Sequence, residues 1–176
     1  MAMRLNVQTL EARDCPAFLM TFQANNLRIT FDNDVTTTQS VQMSANREGL
    51  VTLNEIPTAV PAAAVRSITV VGSDRNNAID LKFVSAQMGF RSLDDRVLIQ
   101  GGRGDDVLLG TQFGDNIFGG DGNDQLNGDK GNDDLDGGKG TDWITHGEGA
   151  DRIYVGPGDG VDWIDRLGTT DRIIRR

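Results

Sequence analysis

Six aspartates, Asp106, Asp115, Asp124, Asp133, Asp142 and Asp151, recur at nine-residue intervals between Gly101 and Tyr154. The phrases that carry them read GGRGDDVLL, GTQFGDNIF, GGDGNDQLN, GDKGNDDLD, GGKGTDWIT and HGEGADRIY, each with aspartate in sixth place. Carboxylates and backbone carbonyls are the oxygen ligands that hard cations take, roughly six to eight at a time. The glycines around each aspartate let the backbone turn tightly at positive φ, so that carbonyls can converge on one centre. The eighth place of every phrase is a large aliphatic: Leu108, Ile117, Leu126, Leu135, Ile144 and Ile153. A short strand after each aspartate turns that residue inward and its neighbours outward, because strand side chains alternate. Two phrases then make one coil of a solenoid.

The phrase resembles the repeat-in-toxin (RTX), or hemolysin-type, calcium-binding nonapeptide G-G-x-G-x-D-x-U-x, whose repeats form a parallel β-helix. A looser continuation extends it on both sides. After an insertion of Val155 and Gly156, Pro157 to Asp165 keeps Gly158, Gly160, Asp162 and Ile164 in place, and Arg166 to Ile174 keeps Asp171 and Ile173. Upstream, Gly72 to Asp80 puts Asn77 at the aspartate place and Ile79 at the aliphatic place. The resemblance implies an all-β chain: a right-handed parallel β-roll over 72–174, best formed over 101–165, with Ile164 and Ile173 also facing inward.

It further implies that each ion sits between loops on one edge of the roll, one coil apart, and so between aspartates eighteen residues apart. One ladder is Asp106, Asp124 and Asp142, continuing to Asp162; the other is Asp115, Asp133 and Asp151. The implied metal set includes the loop glycines Gly102, Gly104, Gly120, Gly122, Gly131, Gly138 and Gly140. Four gaps in register imply about four calcium ions, with a fifth near Asp162. Two loops depart from the pattern: Phe113 replaces a fourth-place glycine and Gly114 follows it, and His146 opens the sixth phrase.

Charge makes the cation matter for folding. Residues 101–165 hold fifteen Asp or Glu against four Lys or Arg, a local net of −11, which leaves +2 for the rest of a chain whose total is −9. Stacked carboxylates without cations repel, so the repeat tract is expected to be unfolded or molten without calcium and to gain β structure cooperatively with it.

The 176 residues fit one domain by length, and 22 glycines with few aromatics fit a solenoid. No basic stripe offsets the acidic balance, which argues against nucleic acid as a partner. Cys15 is the only cysteine and makes no internal disulfide. No apolar run approaches the roughly 20 residues of a transmembrane helix. Residues 1–25 also lack an ordinary signal peptide. Their Leu10, Glu11, Arg13, Pro16 and Ala17 resemble the L-E-x-R-x-x-P-A motif that opens many bacterial surface and secreted proteins; a plain N-terminal tail is the alternative. Residues 26–71 read as short strands at Leu27–Phe31, Thr37–Met43, Leu50–Leu53 and Ser67–Val71, forming a β-rich cap or degenerate early coils.

Catalytic constellations are missing. His146 is the only histidine, which excludes an H-E-x-x-H site, and no G-x-S-x-G occurs. Thr36 to Thr38 do not recur at the coil period, so no ice-binding ladder is expected. The expected function is non-enzymatic calcium binding by a bacterial module that folds on export to the cell surface or exterior. A second reading is a calcium-stiffened adhesin or scaffold. Its outward Trp143 and Trp163, both in seventh places, would meet a glycan or protein partner, unless the C-terminal tail covers them. A third is an accessory fragment of a larger RTX hydrolase.

Overall fold

The computed structural model describes residues 18–33, 39–91, 93, 97–156, 163–165 and 168–175. These residues form sixteen strands in two eight-stranded sheets, two short 3-10 turns and no α-helix. The first five strands are β1 (Phe18–Gln23), β2 (Asn26–Phe31), β3 (Gln39–Ala45), β4 (Leu50–Leu53) and β5 (Ile56–Pro61). Strand pairs then follow: β6 (Ser67–Val71) with β7 (Asn77–Asp80), β8 (Val97–Arg103) with β9 (Val107–Leu109), and β10 (Asp115–Asp121) with β11 (Gln125–Asn127). The last are β12 (Asp134–Lys139) with β13 (Trp143–Thr145), β14 (Arg152–Val155) with β15 (Trp163–Ile164), and β16 (Arg172–Arg175).

Each pair gives one strand to each sheet. One sheet runs β1-β2-β6-β8-β10-β12-β14-β16 and the other β5-β4-β3-β7-β9-β11-β13-β15. From β2 and from β3 onward every neighbour is parallel. The all-β parallel roll is therefore present, and its ladder reaches back through β6 and β7 to β2 and β3. The register follows the repeat: Ile117 lies opposite Ile99 and Leu135, and Leu126 opposite Leu108 and Ile144. The eighth-place aliphatics of all six phrases are buried to 2% exposure or less. Ile79 pairs with Leu108 as the upstream phrase predicts. The 29-residue spacing exceeds one coil, and the longer connection adds Leu81, Val84, Phe90 and Leu93 to the core.

The start of the roll is closed by antiparallel pairing. β1 lies antiparallel on β2, and β4 and β5 extend the other sheet antiparallel to β3. Both hairpins turn through two residues at positive φ, Ala24 and Asn25 in one, Asn54 and Glu55 in the other, as the twist of flanking strands favours. Val51, Leu53 and Val60 thereby join the buried core, which protects the apolar end that a solenoid otherwise exposes. The other end is thinner. Ile164 is only partly buried, and Ile173 is 42% exposed rather than inward, because no described strand pairs beyond β15 or β16.

Candidate metal centres

Each sixth-place aspartate sits where a loop enters a strand, facing inward, and all six are at most 1% exposed. Stacking joins them into two ladders. On one edge the Asp106 N–H donates to Asp124 Oδ1 at 2.8 Å, and the Asp124 N–H to Asp142 Oδ1 at 2.8 Å. On the other the Asp115 N–H donates to Asp133 Oδ1, and the Asp133 N–H to Asp151 Oδ1, both at 2.9 Å. One carboxylate oxygen of each rung thus satisfies the loop amide of the preceding coil.

The second oxygen behaves differently. Oδ2 of Asp106, Asp124 and Asp133 is buried and has no hydrogen-bond partner. Beside each stands a first-place glycine. A methyl on Gly101 would come within 3.0 Å of both Asp106 Oδ2 and the Gly119 carbonyl oxygen; on Gly119, of Asp124 Oδ2 and the Gly137 oxygen; on Gly128, of Asp133 Oδ2 and the His146 oxygen. Three of the gaps therefore bring together a bare carboxylate oxygen and a carbonyl oxygen from the next coil, in space that only glycine leaves open. Burial is the main cause that pushes the carboxyls up, Asp106 to about 7, Asp124 to about 6 and Asp133 to about 9, and neighbouring rungs add repulsion. Buried anions at such cost call for a cation.

A family model described as the RTX calcium-binding nonapeptide repeat (4 copies) matches residues 94–117, 109–144 and 133–162. These are RTX calcium-binding nonapeptide repeats. No curated protein and no solved structure matches the chain. The RTX tract thus binds calcium, and the oxygens in its gaps suit that ion: hard, anionic or carbonyl, and convergent. When bound, the ion supplies the positive charge that lets stacked carboxylates stay ionised in a buried ladder.

The second- and fourth-place glycines also shape the stacking. Gly102, Gly104, Gly120, Gly122, Gly131, Gly138 and Gly140 all have positive φ, and a Cβ on any of them would collide with backbone one coil earlier. They set the close stacking of RTX loops. Asp162 lies outside the described residues, as do the N-terminal motif at Leu10 to Ala17 and Thr36 to Thr38.

Both ladders start at neutral groups. Asn77 tops one: its N–H donates to Asp106 Oδ1 at 2.6 Å, while its amide is satisfied by the Ser73 N–H and hydroxyl. Thr111 closes the other, where its N–H and hydroxyl donate to the two oxygens of Asp115 at 2.6 and 2.9 Å. This is the irregular second phrase, and Phe113 there is buried in the core.

Sequence reasoning missed three features. The first-place glycines were one, although glycine fills that place in five phrases. Another is a fifth-place ladder: the Asn123 N–H donates to Asp105 Oδ1 at 2.8 Å, the Thr141 N–H to Asn123 Oδ1 at 2.9 Å and the Ala150 N–H to Asn132 Oδ1 at 2.9 Å. The recurrent Asn or Asp before the aspartate was its signal. The third is the ladder role of Asp171, the aspartate of the last phrase, which extends the second ladder by accepting the Asp151 N–H at 3.1 Å. Trp143 and Trp163 pair across β13 and β15, stack at 6.4 Å between centroids, and are 58% and 62% exposed.

Proposed function

We propose that the chain is a non-catalytic bacterial module whose RTX coils are locked by calcium after export, at the cell surface or outside the cell. About four ions fill the gaps Asp106/Asp124, Asp124/Asp142, Asp115/Asp133 and Asp133/Asp151, joined by carbonyls of the intervening loops, with a fifth where Asp162 would extend its ladder. The observation that carries this reading is the row of buried Oδ2 atoms on Asp106, Asp124 and Asp133 with no hydrogen-bond partner. Loops of the affinity usual for extracellular calcium modules stay empty where calcium is scarce and fill where it is abundant. Export then couples to folding. No helix among the described residues is long and apolar enough to cross a membrane.

Counting bound ions by native mass spectrometry tests this. About four calcium ions per chain, not replaced by magnesium, are expected from the four gaps; a chain that stays calcium-free at millimolar calcium would refute the assignment. A scaffold role is favoured by one further observation, the exposed Trp143–Trp163 stack. Fluorescence quenching of the calcium-loaded protein by acrylamide tests it: accessible indoles support a presented face, and shielded ones remove it.

A further inference from the structure

His146 stands where the other five phrases have glycine, and its carbonyl oxygen holds the same position beside Gly128 that the Gly128 oxygen holds beside Gly110. Its imidazole therefore fills the space that the glycines leave open, and the side chain is 7% exposed. Nδ1 lies 3.2 Å from Asp151 Oδ2 and 3.5 Å from Asp171 Oδ2, and the three atoms all lie within 4.8 Å of one another. On the far side of the ring, Nε2 lies 3.3 Å from Asp165 Oδ1, which also accepts the His146 N–H at 3.2 Å.

Calcium is poorly matched to this corner, because it takes oxygen donors, whereas imidazole nitrogen suits zinc, copper and nickel. Ligand atoms roughly 2.0–2.1 Å from a tetrahedral zinc ion stand about 3.3–3.5 Å apart. Both separations from Nδ1 fall close to that edge, and the third is no more than 4.8 Å, with Asp171 Oδ2 also accepting the Gly168 N–H. A metal-bound imidazole usually donates its other N–H to a carboxylate, which fixes the tautomer; Asp165 is placed to accept it.

We propose that His146 Nδ1, Asp151 Oδ2 and Asp171 Oδ2 form a site for a borderline divalent cation of the zinc class, with Asp165 orienting the ring. The ion would tie β16 to the roll by chemistry unlike that of the calcium gaps. The site shares Asp151 with the proposed Asp133/Asp151 calcium gap but draws on a different face of it. Asp151 and Asp171 keep Oδ1 for the ladder, accepting the N–H groups of Asp133 and Asp151 at 2.9 and 3.1 Å, and turn only Oδ2 to the metal.

The test is a zinc titration of the full chain in millimolar calcium against a chromophoric chelator, with cobalt as a spectroscopic probe. About one equivalent of zinc should bind, and cobalt should give the visible absorption of a low-coordinate nitrogen and oxygen site. His146→Asn and Asp171→Asn should each weaken zinc by more than about tenfold, the least that losing even an outer-shell partner of a ligand costs. His146→Gly restores the repeat's own residue, keeps the coil, and should abolish the cobalt spectrum. No stoichiometric zinc in the wild type, or zinc retained in His146→Gly, would overturn the site. Circular dichroism recorded alongside separates the two ideas: a missing calcium response counts against calcium-driven folding, and the zinc count is read regardless.

Discussion

The first and last coils of this roll share a ladder but not a source of stability. β2 turns three apolar side chains inward, Leu27, Ile29 and Phe31, and β3 adds Val41, Met43 and Ala45. β12 turns in only Leu135 beside Gly137, and β13 only Ile144. Where the early coil closes its edge with Asn77 and Ser73, the RTX coils close theirs with buried carboxylates. Apolar burial contributes about 1.5–3 kcal/mol per large side chain, so the early coils hold by their core. The RTX coils have too thin a core and too much like charge to do so. On the proposed reading, cations at their edges supply the difference.

Core truncation gives the largest effect and should be blind to calcium. Ile68→Ala, at a fully buried site in β6, is expected to cost about 2–5 kcal/mol in urea unfolding, equally in calcium and in chelator. A calcium-dependent cost would erase the distinction between the halves. Asp124→Asn should instead change sign with conditions. With calcium at a hundredfold excess over its dissociation constant, each lost site removes about 2.7 kcal/mol; in chelator the same change relieves repulsion and stabilises the tract.

The pH dependence sharpens the contrast further. The folded-state values of Asp106, Asp124 and Asp133, about 7, 6 and 9, lie above their ordinary 3.8, so the folded tract binds more protons than the unfolded one across that interval. Calcium-free stability is then fullest below about pH 4 and falls as pH rises through about 6 to 9. Calcium must displace those protons, so its midpoint concentration should fall over the same window. Titrations by circular dichroism at pH 5.5 and 8.5 check both signs. The smallest effect is expected at the outer face, where Lys139 meets Asp121 at 2.8 Å with both side chains exposed. Lys139→Ala should leave Tm unchanged within error, because solvent screens such pairs.

Much of this was legible in the chain because a period of nine fixes both the inward aliphatic and the stacked aspartate. Ile117 over Leu135 and Asp115 over Asp133 follow from spacing alone. The closing hairpins were less legible. Ala24–Asn25 and Asn54–Glu55 lack the glycine that marks such turns, and Ile56–Pro61, with a proline at each of Pro57 and Pro61, pairs as a strand only against β4. The grouping of His146 with Asp151, Asp165 and Asp171 was hidden for a different reason. It depends on the offset that the insertion after Tyr154 gives the last coil, and no local pattern shows which side chains that offset brings together.

Residue-resolved hydrogen exchange, recorded in calcium and in chelator, tests the division most directly. Removal of calcium should strip protection from the amides of β10 to β14 while those of β2, β3 and β6 keep theirs. Equal protection of both regions in chelator would contradict the account, because the RTX coils would then be holding without their cations.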